Sequence, residues 1–205
     1  MMERPRSLAW AFVCAGEGVA DALQQRNMKI HWVCALAVML VGSTVPFTGG
    51  CQAALMVTAG LVLAAESFNC AVEAAVDLAT REYHPLAKQA KDASAGAVLV
   101  LAIFAASTLG VVLYSEWNLI VWPDAFTTIR FGVPLLAVTA LAMWGRRWVI
   151  GLGAAAAVPL LGVLAGVSRH PVFFGGAILM VVLGLLARLR ELQIRGREHQ
   201  GRDSQ

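Results

Sequence analysis

Four residues carry the most chemical information in this chain: Glu66, Asn69, Glu73 and Asp77. They follow one another at i, i+3, i+7 and i+11. At about 100° per residue all four fall within ~80° of one helix face. The stretch that leads to them, Cys51 to Ala65, holds no charged residue. Ionisable groups on a membrane-spanning helix are costly and default to a functional role. At a rise of about 1.5 Å per residue, Glu66 stands roughly 22 Å and Glu73 roughly 33 Å from Cys51. The stripe therefore starts inside one leaflet and emerges at the membrane surface. A carboxylate placed there reaches both a lipid headgroup and a water-soluble reagent, which suits chemistry on a lipid at the interface. Bonds to neighbouring helices, or proton carriage in a transporter, are competing uses of the same groups.

The residues after the stripe add to it. Arg81, Glu82, Tyr83, His84, Lys88, Lys91 and Asp92 crowd into a short hinge. Lysines there can hold nucleotide phosphates as point charges. The acids can hold Mg²⁺, which takes one or two carboxylates together with phosphate and water oxygens. His84-Pro85 reads as an extended dipeptide. The chain has no GxxxxGK[ST] loop, no HRD and no DFG. Phosphoryl transfer here would have to come from the stripe itself. Its needs are a metal against phosphate charge, cations to position it, and a carboxylate to take a hydroxyl proton.

The elements that position these residues follow from composition. Of 205 residues, 59% are hydrophobic and 14% charged, against about 25% charged in a typical globular domain. Mean hydropathy is +0.69. That balance excludes an ordinary soluble fold, and a net charge of +3 is too weak for a nucleic-acid binder. The four cysteines form no CxxC pair and no metal-ligand spacing, so they read as small apolar residues. No secretory signal is expected, because Glu3, Glu17 and Asp21 interrupt the first 25 residues.

The fold class predicted is all-α: a polytopic integral membrane protein with an N-terminal amphipathic surface helix and about six transmembrane helices. The uncharged runs are Ile30–Phe47, Cys51–Ala65 continuing to about Leu78, Ala93–Ser115, Phe131–Gly145, Trp148–Ser168 and Pro171–Ala187. A span needs about 20 residues, so the fourth run suffices only with Ile129 and Arg130 added, the arginine reaching outward. Residues 7–25 place Leu8, Phe12, Ala15, Val19 and Leu23 on one face, as a helix lying on the membrane does. Arg4 and Arg6 lead that helix, and Arg26 and Lys29 follow it. All of the 16 basic residues except Arg130 and Arg169 fall on one side of a six-span threading. That puts both termini in the cytoplasm. Residues 191–205, polar and aperiodic, are predicted to be a disordered basic tail.

Taken together, these segments resemble a known family. Glu66-Ser-Phe-Asn-Cys-Ala-Val-Glu73-Ala-Ala-Val-Asp77 is similar to the E-x-x-N-x-x-x-E-x-x-x-D helix of the prokaryotic diacylglycerol and undecaprenol kinases. Glu82 to Asp92, running into Ala95-Gly96-Ala97-Val98, resembles that family's next block. Arg26-Asn27-Met28-Lys29-Ile30-His31 resembles its segment before the first span. The resemblance covers about residues 5–117. It implies a bacterial inner-membrane enzyme, a homotrimer, that uses Mg²⁺ and ATP to phosphorylate a membrane lipid alcohol. It implies a general base at Glu66 and a metal ligand at Glu73, supported by Asn69 and Asp77. It places Glu82, Tyr83, His84, Lys91 and Asp92 near the nucleotide. The RNMKIH and YHPLAK wording looks more like undecaprenol kinases than like diacylglycerol kinases.

One departure concerns the metal. The family often has an acidic residue just before the Arg-Asn pair, and here that position is Gln25. A neutral amide oxygen is a weaker Mg²⁺ ligand than a carboxylate. Three outcomes stay open: Glu73 and phosphates hold the ion alone, Glu17 or Asp21 substitutes, or activity is low.

The expected organisation is a kinase domain over 1–117, an accessory module of about three spans over 118–190, and the tail. Gly166-Val-Ser168-Arg169-His170-Pro171 faintly resembles a phosphatidate-phosphatase block, but the family's other blocks are missing. It reads better as a helix-to-helix connection. Trp117, Trp122, Trp144 and Trp148 sit near span ends, as interfacial anchors do. Two other function classes remain, a proton-coupled transporter and a non-catalytic relative. The first lacks the expected pair of broken-helix repeats.

Overall fold

The computed structural model describes residues 7–202, excepting the side chains of 147 and 196–202. Arg4, Arg6 and residues 203–205 lie outside the described residues. All secondary structure among the described residues is helical. The helices are α1 (Leu8–Ala22), α2 (Arg26–Thr44), α3 (Gly49–Ala79), α4 (Pro85–Ser115), α5 (Trp122–Trp144), α6 (Arg147–Val167) and α7 (Pro171–Arg202). A single 3₁₀ turn, Trp117–Leu119, joins α4 to α5.

The expected surface helix is α1. Ser7 starts it by accepting a hydrogen bond from the Trp10 amide at 3.2 Å. Leu8 and Phe12 are 76% and 70% exposed. That is the state of an amphipathic helix whose apolar face is meant for lipid.

The six expected spans correspond to α2–α7. Five of them, α3 to α7, are long and apolar enough to cross a membrane by length and composition. The exception is α2, whose first turns carry Arg26, Asn27, Lys29 and His31. It is nevertheless the centre of the molecule. It packs against α3 on one side and against α5 and α7 on the other, burying Met28, Trp32, Leu36 and Leu40. The Trp32 indole donates to the Met180 carbonyl at 2.9 Å, so a buried polar group is satisfied where α2 meets α7. A Cβ on Gly42 would overlap the Phe173 ring, so glycine is what lets these two helices cross so closely.

Two hairpins flank α2. One is α3 with α4, the most extensive helix pair; the other is α5 with α6. Successive helices run in opposite directions. The α1–α2 corner, the α3–α4 loop, the α5–α6 turn and the C-terminal part of α7 therefore share one end. At the other end, the amides of Arg169 and His170 donate to the Ser43 carbonyl at 2.6 and 3.1 Å. Arg169 pairs with Asp124, and the His170 ring lies 3.2 Å from the Gln52 amide nitrogen. The Ser168-Arg169-His170-Pro171 turn is thus occupied in tying helix ends together, as a connection would be.

Two boundaries differ from expectation, the first and the third, and the second meets the condition set for the fourth span. The charged hinge over 85–92 is helical and begins α4, because Pro85 fits the first helical position and the extended His84 caps it, Nδ1 accepting from the Leu86 amide at 3.3 Å. Secondly, α5 starts at Trp122, well before Phe131, so Ile129 and Arg130 do join the span. The Arg130 guanidinium lies 5.6 Å from the centroid of the Phe131 ring. Thirdly, the tail expected to be disordered from residue 191 continues α7 as far as Arg202. Glu191 is the reason. It is 2% exposed, pairs with Arg188 and Arg195 along α7 itself, and also pairs with Lys29 of α2, a contact its local sequence does not reveal.

Candidate active site

The stripe occupies the last turns of α3, the helix's charged end. Burial falls along it: Glu66 is 2% and Asn69 4% exposed, Glu73 is half-buried and Asp77 exposed. The three inner residues lie along one face. Asn69 Nδ2 donates to Glu73 Oε1 at 3.0 Å. Its Oδ1 lies 2.7 Å from Ser94 Oγ on α4. That hydroxyl is also 2.9 Å from the Lys91 carbonyl, so its single proton chooses between two acceptors. The network fixes the amide of Asn69 with its nitrogen toward the carboxylate. Glu66 makes no hydrogen bond among the described residues. Its titratable neighbours are His31 of α2 and Glu73.

At the surface end, Asp77 and Lys91 form an ion pair at 2.5 Å across the hairpin, and Lys88 pairs with Asp92 one turn along α4. Glu82, Tyr83 and His84 stand exposed on the connecting loop. Thr80 braces that loop, its Oγ1 accepting from the Glu82 amide at 3.2 Å. Of the predicted residues, Glu66, Asn69 and Glu73 are brought together, and Asp77 joins Lys91 at the rim. Asp92 faces Lys88 instead of the stripe. Gln25 is exposed at the start of α2 and makes no side-chain capping bond.

Sequence reasoning missed Ser94. The signal was present: Lys91, Ser94 and Val98 follow at i, i+3 and i+7. The burial of Val98 marks that face as the one turned to α3.

Among the described residues no group of three or more His, Cys, Asp or Glu side chains could hold a metal by itself. Glu73 is half-buried and uses Oε1 to accept from Asn69, leaving Oε2 without a hydrogen bond among the described residues. A single oriented carboxylate fits Mg²⁺, which keeps water and takes the rest of its shell from substrate phosphates. It does not fit an ion caged wholly by protein. Glu17 and Asp21, the alternative ligands, each lie 3.8 Å from Arg190.

An apolar cleft of about 460 Å³ lies between α2, α3 and α4 and ends on α3 at Val62, one turn before Glu66. Its walls include Cys34 and Val38 of α2, Ala59 and Val62 of α3, and Ala105 of α4; His31 also lines it. The same histidine therefore lines the cleft and neighbours Glu66.

The family model for prokaryotic diacylglycerol kinase matches residues 13–113. The match ends within α4, so α5, α6 and α7 lie beyond it. An undecaprenol kinase of Bacillus subtilis (strain 168) is 40% identical over 94 residues, 45% of this chain and 76% of that protein. A diacylglycerol kinase of Synechocystis is 40% identical over 109 residues, 52% of this chain and 62% of that protein. A diacylglycerol kinase of Escherichia coli K12 is 41% identical over 58 residues, 28% of this chain and 48% of its own length. No solved structure gives a significant match.

Proposed function

The chain belongs to the prokaryotic diacylglycerol kinase family, and from that premise we propose that it transfers the γ-phosphate of ATP to a membrane lipid alcohol, undecaprenol in preference to diacylglycerol. One observation carries the reading. Glu66 is an almost wholly buried carboxylate with no hydrogen bond among the described residues, one turn from an oriented Asn69–Glu73 pair. A carboxylate so placed, unpartnered yet not fully sealed, is free to accept a substrate proton; the fully sealed orphan among the described residues is Thr139 Oγ1, not Glu66.

In this mechanism Glu66 takes the proton of the lipid's primary hydroxyl as that oxygen attacks the γ-phosphorus, while the bond from the γ-phosphorus to the bridging oxygen breaks and ADP leaves with its electron pair. Asn69, itself held by Ser94, orients the Glu73 carboxylate. Mg²⁺ held by Glu73 and phosphate oxygens would neutralise phosphate charge. Gln25 is a weak additional ligand at most. Glu82, Tyr83, His84, Lys91 and Asp92 line the approach of the nucleotide, and Lys91, balanced by Asp77, supplies positive charge at the rim. The apolar cleft suits the lipid chain, whose hydroxyl would then lie at the His31 end.

Residues 1–117 are the proposed kinase unit and 118–190 an accessory module, a division supported by where the family match stops. The gathering of basic residues at the stripe's end supports placing that end, and both termini, on the cytoplasmic side of the bacterial inner membrane. A homotrimer is proposed from family likeness. The undecaprenol preference rests on the residues around 26–31 and 83–88.

The test is labelled ATP with Mg²⁺ and the full chain in mixed micelles, offered undecaprenol, diacylglycerol or no lipid. Faster transfer to undecaprenol is expected. Faster transfer to diacylglycerol would reverse the preference, and no transfer to either would favour a non-catalytic relative. In the same assay Ser94→Ala should lower turnover about three- to tenfold, the worth of one orienting hydrogen bond, while Ser94→Thr retains most of it.

A further inference from the structure

Two adjacent residues of α7 reach back to the elements that precede the stripe. Arg190 Nη2 stands 3.8 Å from both Glu17 and Asp21 of α1, and its Nη1 donates to the Glu17 carbonyl at 3.3 Å. Its neighbour Glu191 pairs with Lys29 of α2 at 3.5 Å. Lys29 lies 5.8 Å from the centroid of the Trp144 ring at the end of α5. Arg188, one turn back, donates through Nη2 to the Gly145 carbonyl at 2.8 Å. A short stretch of α7 therefore grips α1, α2 and the α5–α6 turn at one level.

Between the gripped points lies the corner over 23–25, where the chain passes from the surface helix into α2. In the second turn of α2 sits His31, which lines the cleft and neighbours Glu66. α1 packs chiefly on α7 and only slightly on α3, the helix that carries the stripe. What aims the surface helix is thus a segment outside the family match.

We propose that α7 is a built-in brace: Arg190, acting through Glu17 and Asp21, sets the pose of the surface helix at the corner that leads into α2 and His31, so the C-terminal helices are part of the kinase's alignment. Arg190 is a positioning residue here. Its pairs are long and partly exposed, so each adds little to global stability. Their loss should release the pose of α1 without unfolding the chain. The activity arm of the test rests on the lipid-kinase reading; the mobility arm does not.

The test uses the full chain in mixed micelles with Arg190→Glu, and with the triple exchange Arg190→Glu, Glu17→Arg and Asp21→Arg. Arg190→Gln is made alongside, in case charge reversal prevents folding. Arg190→Glu should raise KM for the lipid alcohol roughly tenfold while kcat stays within about twofold, and the triple exchange should restore KM. In a separate background with Cys34, Cys51 and Cys70 replaced, a spin label on the exposed Cys14 of α1 reads mobility without turnover. It should become more mobile on loss of Arg190 and recover in the triple exchange. An unchanged label together with an unchanged KM overturns the brace, and so does failure of the exchange to restore either. If the unmodified chain phosphorylates no lipid alcohol, the kinase reading fails, and label mobility alone still decides the brace.

Discussion

Glu66→Gln is expected to lower phosphate transfer to the lipid alcohol by about 10²–10⁴-fold, the usual contribution of a positioned general base. The substitution keeps the size and shape of the side chain, so the packing of a residue that is 2% exposed is preserved. It also replaces a buried carboxylate that has no hydrogen bond among the described residues with a neutral amide, which removes a desolvation cost. Thermal stability should therefore hold or rise while turnover falls. That opposite movement separates a base from a structural residue, whose loss would lower both. The measurement is the initial rate with labelled ATP in mixed micelles beside a melting curve of the same preparation. A Glu66→Gln protein as fast as the unmodified chain would remove the base assignment.

The stripe was legible in the sequence because charge is scarce. In a chain with 14% charged residues, three acids and an amide on one helix face stand out, and the period of 3.6 orders them without any tertiary information. The helical spans were legible for the same reason. Non-local pairing was not. Lys29 reads from sequence as one more basic residue at the start of a span, yet it is buried against Glu191, 162 positions away. α7 continues past residue 191, and the Lys29 contact that holds its position 191 was equally hidden. Ser94 escaped for a related reason: a serine in an apolar run gains meaning only when α4 folds back on α3 and brings its hydroxyl to Asn69. The α4 start shows the intermediate case, since proline at a first helical position and Lys88–Asp92 at i, i+4 are local signals for a helix beginning at 85.

The buried cluster around Glu191 carries the largest expected effect on stability. Lys29 and Arg188 side chains are 8% and 12% exposed, and Glu191 is the carboxylate that pairs with both. Glu191→Gln removes that charge and leaves two cations inside the helix packing. Losing one partner of a buried ion pair costs about 3–5 kcal/mol. For a chain of this size each kcal/mol moves the melting midpoint by about 2–4 °C, so a fall of roughly 6–20 °C is expected at fixed scan rate and detergent. Arg195 provides the contrast. It pairs with the same Glu191 at 2.8 Å, but its side chain is 67% exposed, so Arg195→Ala should cost no more than about 1 kcal/mol. Replacing Lys29, Arg188 and Glu191 together by apolar residues of similar volume should recover much of the loss, because the penalty comes from uncompensated charge and not from missing attraction. Equal destabilisation by Glu191→Gln and Arg195→Ala would mean that water reaches the cluster, and α7 would then be held to α2 by apolar packing alone.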